Sequence, residues 1–155
     1  MTRRPLLCPS ANADGPEAAV IGVVLGSADE PRVRPLERPV PVTDEILNST
    51  APLPPTRVLR IAAVCQQHEC RHFSDGQCNF AAKVVRLLPE VTDTLPPCKV
   101  RSRCRWFAQE GPSACLRCPQ VVTQAVNPSP PMALAANPLV PVPPAQPEEP
   151  TDHET

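Results

Sequence analysis

Large aromatic side chains are scarce in this chain. Its 155 residues include no tyrosine, one tryptophan and three phenylalanines, all four between Phe73 and Phe107. So little aromatic area makes an extensive buried core hard to build from side chains alone. Long apolar runs are also missing. The longest, Ala18 to Leu25, is far short of the roughly 20 residues that span a bilayer. The acidic residues Asp14 and Glu17 just before that run, and prolines near the start, argue against an export signal. No phosphate-cradling glycine loop, dinucleotide fingerprint or Gly-x-Ser-x-Gly elbow occurs, so nothing marks an enzyme of those classes. A cysteine–histidine nucleophile pair drawn from Cys65 and His68 lacks a third orienting group.

Proline and cysteine are what the chain has in quantity. Ten of its 24 prolines precede Arg57 and ten follow Cys118. Seven of its eight cysteines fall between those flanks: Cys65, Cys70, Cys78, Cys98, Cys104, Cys115 and Cys118. Only Cys8 stands apart, and it is expected to be dispensable. Charge follows the same division. The net charge of −1 conceals a basic centre between two acidic ends, and a basic centre suits an acidic partner. Three stretches follow: a Pro-rich arm over 1–56, a cysteine-rich domain over 57–120 and a disordered acidic tail over 121–155.

Local patterns give elements within these stretches. Residues 19–25 are β-branched and suit a strand, and 31–41 an edge strand that tolerates proline. Thr43 or Asp44 can cap a helical turn at 43–47. Residues 57–64 are densely apolar and read equally as strand or helix. Over 79–88, Phe80, Val84, Leu87 and Leu88 share a helical face that Lys83 flanks, with Asn79 as cap and Pro89 as stop. Ser102 can cap a helix over 103–110 that Gly111 ends. Pro112 opens a third helix that carries Cys115 and Cys118 on one face. The expected fold is a small metal-stabilised, mostly α cysteine-rich domain of short helices and loops. It leaves room for a short N-terminal β element and has disordered Pro-rich flanks.

In a reducing compartment, clustered thiols point to metal rather than to disulfides. The spacing is C-x4-C-x7-C-x19-C-x5-C-x10-C-x2-C. Zinc favours two close C-x2–4-C pairs, and only Cys115–Cys118 is a C-x2-C. A [4Fe–4S] cube takes each thiolate at a different corner, so irregular spacing suits it, as does the terminal Cys118-Pro119. Arg71, Lys99, Arg101, Arg103, Arg105 and Arg117 would offset its charge. An iron–sulfur cluster is therefore the expected cofactor, with Zn2+ as the alternative.

All seven clustered cysteines are candidate ligands. The most economical division puts Cys98, Cys104, Cys115 and Cys118 in one site. Cys65, Cys70 and Cys78 would form a second with a non-cysteine ligand, His68 and His72 being available. Mixing through Cys78 and Cys98 is equally allowed. Trp106 and Phe107 are expected to pack beside a ligand, with nucleic-acid stacking as the alternative for Trp106; Gln109 and Glu110 read as solvated.

The expected function is a cytoplasmic metal-binding accessory protein for electron transfer, redox sensing or assembly through a protein partner, with no membrane involvement. The alternative is a structural zinc module whose basic surface around 99–105 binds nucleic acid or an acidic protein.

Overall fold

The computed structural model describes residues 4–144. The chain runs through a two-residue strand β1 (Leu7–Cys8), β2 (Ala19–Gly26), β3 (Pro31–Pro41), helix α1 (Asp44–Thr50), the single turn α2 (Pro55–Val58) and β4 (Leu59–Val64). A short hairpin of β5 (Phe73–Ser74) and β6 (Gln77–Cys78) leads into α3 (Asn79–Leu87). The remaining elements are α4 (Arg105–Glu110), the single turn α5 (Pro112–Cys115) and α6 (Pro130–Ala136), with short 3-10 turns between them.

Four strands form one antiparallel sheet in the order β1-β4-β2-β3. The molecule is therefore mixed α/β, and the expectation of a mostly α domain is overturned. The sheet escapes a reading of local sequence because its members lie far apart. β1 pairs with β4 through Leu7–Val64 and Cys8–Ala63, and two residues carry no strand periodicity. The run at 57–64 resolves into both of its readings: one helical turn, then a central strand. Residues Arg60 to Ala63 of β4 are all buried.

The β2–β3 hairpin forms where the β-branched run and the proline-bearing edge were expected. All four prolines of β3 lie on the sheet edge, where a missing amide donor costs little. A bulge interrupts β2 between Val20 and Gly22 on both its neighbours. At Gly22 a Cβ would meet Val33 Cγ1 at 2.6 Å, so the bulge needs glycine. In the β5–β6 turn, Asp75 and Gly76 have φ of 52° and 77°, the type I′ geometry that suits a two-residue hairpin.

Helix α3 follows the expected apolar face, but its cap is Cys78, not Asn79: the Cys78 Sγ accepts the Ala81 N–H at 3.4 Å. Lys83 on this helix is fully buried rather than flanking. Gly111 ends α4 with φ 71°, and Pro112 opens α5. Cys118, expected on the same helix as Cys115, instead begins a separate 3-10 turn, Cys118–Gln120.

The flanks are not featureless. The N-terminal arm supplies three of the four sheet strands. Downstream, Ser129 caps α6 by accepting the Met132 N–H at 3.3 Å, and Pro130 and Pro131 occupy the first turn, where proline is tolerated. Met132 and Ala135 are buried. The expected disorder therefore fails over 130–136, and the acidic end of the tail lies outside the described residues. No helix among the described residues is long and apolar enough to cross a membrane.

Two cores result. One joins Leu7, Ala62 and Val100 under the sheet. The other gathers Cys78, Val84, Leu88, Cys104, Trp106 and Met132 among the helices. Cysteines belong to both cores. If α6 is an integral part of the second, Met132→Ala lowers the free energy of unfolding by about 2 kcal/mol or more, measured by urea denaturation. A disordered tail would give no change.

Candidate metal centre

The eight cysteines stand around two cavities, four at each. The first cavity, about 280 Å3, is lined by Cys8, Cys65, Cys70 and Cys78. β1 sets Cys8 beside β4, and Cys65 follows β4 directly, its N–H donating to the Leu6 carbonyl at 2.9 Å. Cys70 closes the 3-10 turn Gln67–Glu69. Cys78 ends the β5–β6 hairpin and caps α3. Its backbone is clamped by Gln109, whose Oε1 accepts the Cys78 N–H at 2.7 Å while Nε2 donates to the Cys78 carbonyl at 2.9 Å. Gln109 was expected to be solvated; it is a positioning residue.

The second cavity, about 50 Å3, is lined by Cys98, Cys104, Cys115 and Cys118. Pro96 and Pro97 lead into Cys98. Cys104 follows the 3-10 turn Arg101–Arg103 and precedes α4. Arg117 braces the segment from Cys115 to Cys118: its Nε donates to the Leu88 carbonyl at 2.8 Å and its Nη1 to the Ser113 carbonyl at 2.9 Å. All eight cysteines are free of disulfides. Among the described residues, no three Cys, His, Asp or Glu side chains close on one point as ligands of a single ion. The thiols surround space instead of meeting in it.

Cys8 is the residue the sequence reading left out. Two signals pointed to it. Eight thiols divide into two sets of four without remainder, and Cys8-Pro9 repeats the Cys118-Pro119 dipeptide. Each set thus holds one Cys-Pro and one cysteine at the start of a helix, Cys78 before α3 and Cys104 before α4. Of the two candidate histidines, His72 lines the first cavity. His68 packs edge-on against Phe73 at 5.5 Å and does not line it.

Burial governs the thiol chemistry. It pushes the Cys8 thiol up to about 12, against a downward pull from a Ser10 backbone hydrogen bond and a further rise from Cys78, Cys65 and Cys70. Cys104 is pushed up to about 11 by burial, with backbone hydrogen bonds from Phe107 and Trp106 and the charges of Cys118 and Cys98 as lesser influences. Burial also raises Cys78 and Cys115, the latter opposed by a hydrogen bond from Arg101. Such thiols stay protonated at neutral pH unless a cation replaces the proton.

Cations and orphaned donors surround these thiols. Arg60, only 1% exposed, donates from Nη2 to the Cys118 Sγ at 3.0 Å. Its Nη1 donates to the Cys118 and Val121 carbonyls at 3.0 and 2.9 Å, and its Nε to the Pro9 carbonyl at 2.6 Å. No carboxylate among the described residues accompanies it. The ion pairs among the described residues are Arg103–Glu17 at 3.8 Å and Arg117–Glu90 at 3.7 Å. A buried charge deprived of its partner costs on the order of 3–5 kcal/mol. Lys83 is equally enclosed, giving its Nζ to the Asn137 and Val140 carbonyls at 2.7 and 2.9 Å. Burial lowers its pKa while Cys78 opposes that shift. The Arg105 Nε, His72 Nδ1 and Trp106 Nε1 beside the first cavity, and the Arg101 Nε beside the second, have no hydrogen-bond partner among the described residues. Buried polar atoms without partners call for something to meet them, and an anionic group in each cavity would do so.

The basic stretch 99–105 turns inward. Arg101 reaches the Pro96 carbonyl and Cys115, Arg103 the Pro5 carbonyl and Glu17, and Arg105 lies over Phe73 at 5.4 Å. Lys99 alone of the four is exposed. Trp106 is 1% exposed and packs edge-on against Phe80 at 5.3 Å, so it offers no face for base stacking.

Set against family models, characterised proteins and solved structures, the chain matches none.

Two measurements follow from this arrangement. If each set of four thiols holds a metal centre, Cys8→Ser lowers the metal content of the loaded protein by one centre and leaves the other intact; unchanged content would remove Cys8 from the first set. The second concerns pH. A thiol whose folded pKa is raised stabilises the fold fully below its unfolded value, 9.0, and that contribution is lost as the pH rises towards 12. The urea midpoint of metal-free, reduced protein therefore falls between about pH 8 and about pH 11, and Cys8→Ala or Cys104→Ala removes part of that fall.

Proposed function

We propose that this chain is an iron–sulfur protein with two centres, one in each cysteine-lined cavity, which carries or senses electrons on behalf of a protein partner. The single observation that carries this reading is the division of eight thiols, four to each of two adjacent cavities. The size of the first cavity supports a cluster there: four thiolates around one zinc ion would sit about 3.8 Å apart, given Zn–S bonds near 2.3 Å, and would leave no such space. The buried Arg60 supports it too, because a thiolate-bound cluster is the anion that Arg60 lacks. When bound, a [4Fe–4S] centre supplies one-electron chemistry.

The protein's own residues do the rest. Eight cysteines would bind, Gln109 and Arg117 hold the ligand-bearing segments, and Trp106, Phe80 and Met132 exclude water from the helical core. Thiol ligation on this scale suits a reducing compartment, the cytoplasm. Arg101, Arg103 and Arg105 turn inward, so the stretch 99–105 leaves only Lys99 free to meet a nucleic acid, and a protein partner is the reading kept.

The alternative for the second site alone, suggested by its smaller cavity, is a single structural zinc, which would require Cys98, Cys104, Cys115 and Cys118 to draw together around it.

Anaerobic purification, or reconstitution with iron and sulfide, followed by elemental analysis separates these readings. Two cubes give about eight iron and eight sulfide per chain, with broad visible absorption that dithionite bleaches. About four of each plus one zinc assigns the zinc reading to the second site. Folded protein that takes up no iron defeats the proposal.

A further inference from the structure

The two cavities share a wall. Trp106 lines both. Cys8 faces the first cavity, and the next residue, Pro9, faces the second. Arg60 braces that wall without lining either cavity; it lines a third, beside Cys98 and Cys118. Its Nε holds the Pro9 carbonyl at 2.6 Å and its Nη2 the Cys118 Sγ at 3.0 Å, and its Cζ lies 5.3 Å from the Trp106 ring centre. From Cys8, the link to Pro9, two hydrogen bonds and the guanidinium between them lead to the Cys118 sulfur.

The two sets of sulfurs differ in what they receive. In the second set a guanidinium reaches a sulfur, Arg60 Nη2 at Cys118 at 3.0 Å. In the first set the donor to sulfur is a backbone N–H, from Ala81 to Cys78 at 3.4 Å. No cation donates a hydrogen bond to a sulfur of the first set among the described residues. Lys83 gives its ammonium to two carbonyls, and Arg105 lines the cavity over Phe73 without a bond to sulfur. Reduction adds one negative charge to a centre. A cation hydrogen-bonded to a ligand sulfur therefore stabilises the reduced state more than the oxidised one and raises the potential.

Resting on the reading that both cavities hold iron–sulfur centres, we propose that Arg60 joins them into a directed pair. It is a positioning residue that bridges the Cys118 sulfur to the Cys8–Pro9 strand and holds the second centre at the higher potential. An electron accepted at the first centre from a one-electron carrier protein comes to rest at the second. In that transfer the first centre is oxidised and the second reduced by one electron; no bond forms or breaks, and no proton moves. Arg60 also serves as the internal counter-ion of the second centre. The metal-free protein buries that charge uncompensated, and loading relieves it.

The test is a potentiometric titration of the loaded protein, followed by electron paramagnetic resonance, for the wild type and for Arg60→Met, Arg60→Gln and Arg60→Lys. The signal lost in Cys8→Ser identifies the first centre, and the one lost in Cys118→Ser the second. In the wild type the second centre is expected to reduce first. Arg60→Met and Arg60→Gln lower its midpoint by at least a tenfold change in the reduced-to-oxidised ratio, about 59 mV for one electron, and leave the first centre in place. Arg60→Lys, which keeps the charge but cannot span both partners, gives a smaller shift.

A merely structural arginine would behave differently. Metal-free Arg60→Met is expected to unfold at the same urea concentration as wild type or higher, because a buried charge has been replaced by an apolar chain. The inference is overturned if Arg60→Met retains full iron with both midpoints unmoved, or if the first centre proves the higher of the two in the wild type. Should Arg60→Met fail to fold, an unshifted second midpoint in Arg60→Lys overturns it equally. Iron and sulfide analysis of the wild type precedes the titration. An absence of clusters there defeats the proposed function itself, and this inference with it, whereas full clusters with unmoved potentials defeat this inference alone.

Discussion

A guanidinium sealed inside the protein without a carboxylate is the constraint around which the molecule is arranged. Arg60 is the second residue of the interior strand β4, between Leu59 and Ile61, and its partners are three carbonyls and the sulfur of Cys118. Carbonyl dipoles soften the loss of water but do not neutralise the charge. Four of the nearby thiols, Cys8, Cys78, Cys104 and Cys115, are the complementary half: burial raises their pKa and holds them protonated. Neither half is comfortable without the other. A polyvalent group bound through thiolates satisfies both at once, since the thiol protons leave and the cation gains its anion.

This pairing explains why so small an aromatic inventory is enough. The helical core rests on one tryptophan, with Phe80 and Phe107 packed against it and small residues such as Ala81 and Ala114 between them. Two of its buried members are the cysteines Cys78 and Cys104. The sheet core is smaller still, and Cys98 packs against it. Cysteine-bearing segments from the first strand to the last 3-10 turn are thus part of the packing itself, so under the proposed reading burial and ligation would not be separable contributions.

Much of the local structure was legible. The β-branched run at β2, the proline-tolerant edge of β3, the apolar face of α3, the glycine stop at Gly111 and the proline start at Pro112 each depend on a few adjacent residues. What was not legible depends on distant ones. β1 is a strand only because β4 lies beside it, so the fold class was misread. The proline-rich composition around α6 pointed to disorder, although in a first helical turn proline loses nothing. Lys83 and Gln109 read as surface residues because nothing nearby announces the carbonyls that receive them. The grouping of Cys98, Cys104, Cys115 and Cys118 around one cavity was one of the arrangements the spacing allowed. The inclusion of Cys8 with Cys65, Cys70 and Cys78 could have been suspected from the repeated Cys-Pro dipeptide, but its position some fifty-seven residues before the next cysteine concealed it.

Trp106 offers the most direct check on the central claim. It is the sole tryptophan in a chain without tyrosine, and it forms part of the wall between the two cavities. Its fluorescence can therefore be followed while iron and sulfide are added to the reduced, metal-free protein under anaerobic conditions. If clusters assemble on either side of it, the emission is strongly quenched in step with iron uptake and recovers when the iron is chelated. Emission that stays unchanged while the protein remains folded would contradict the account.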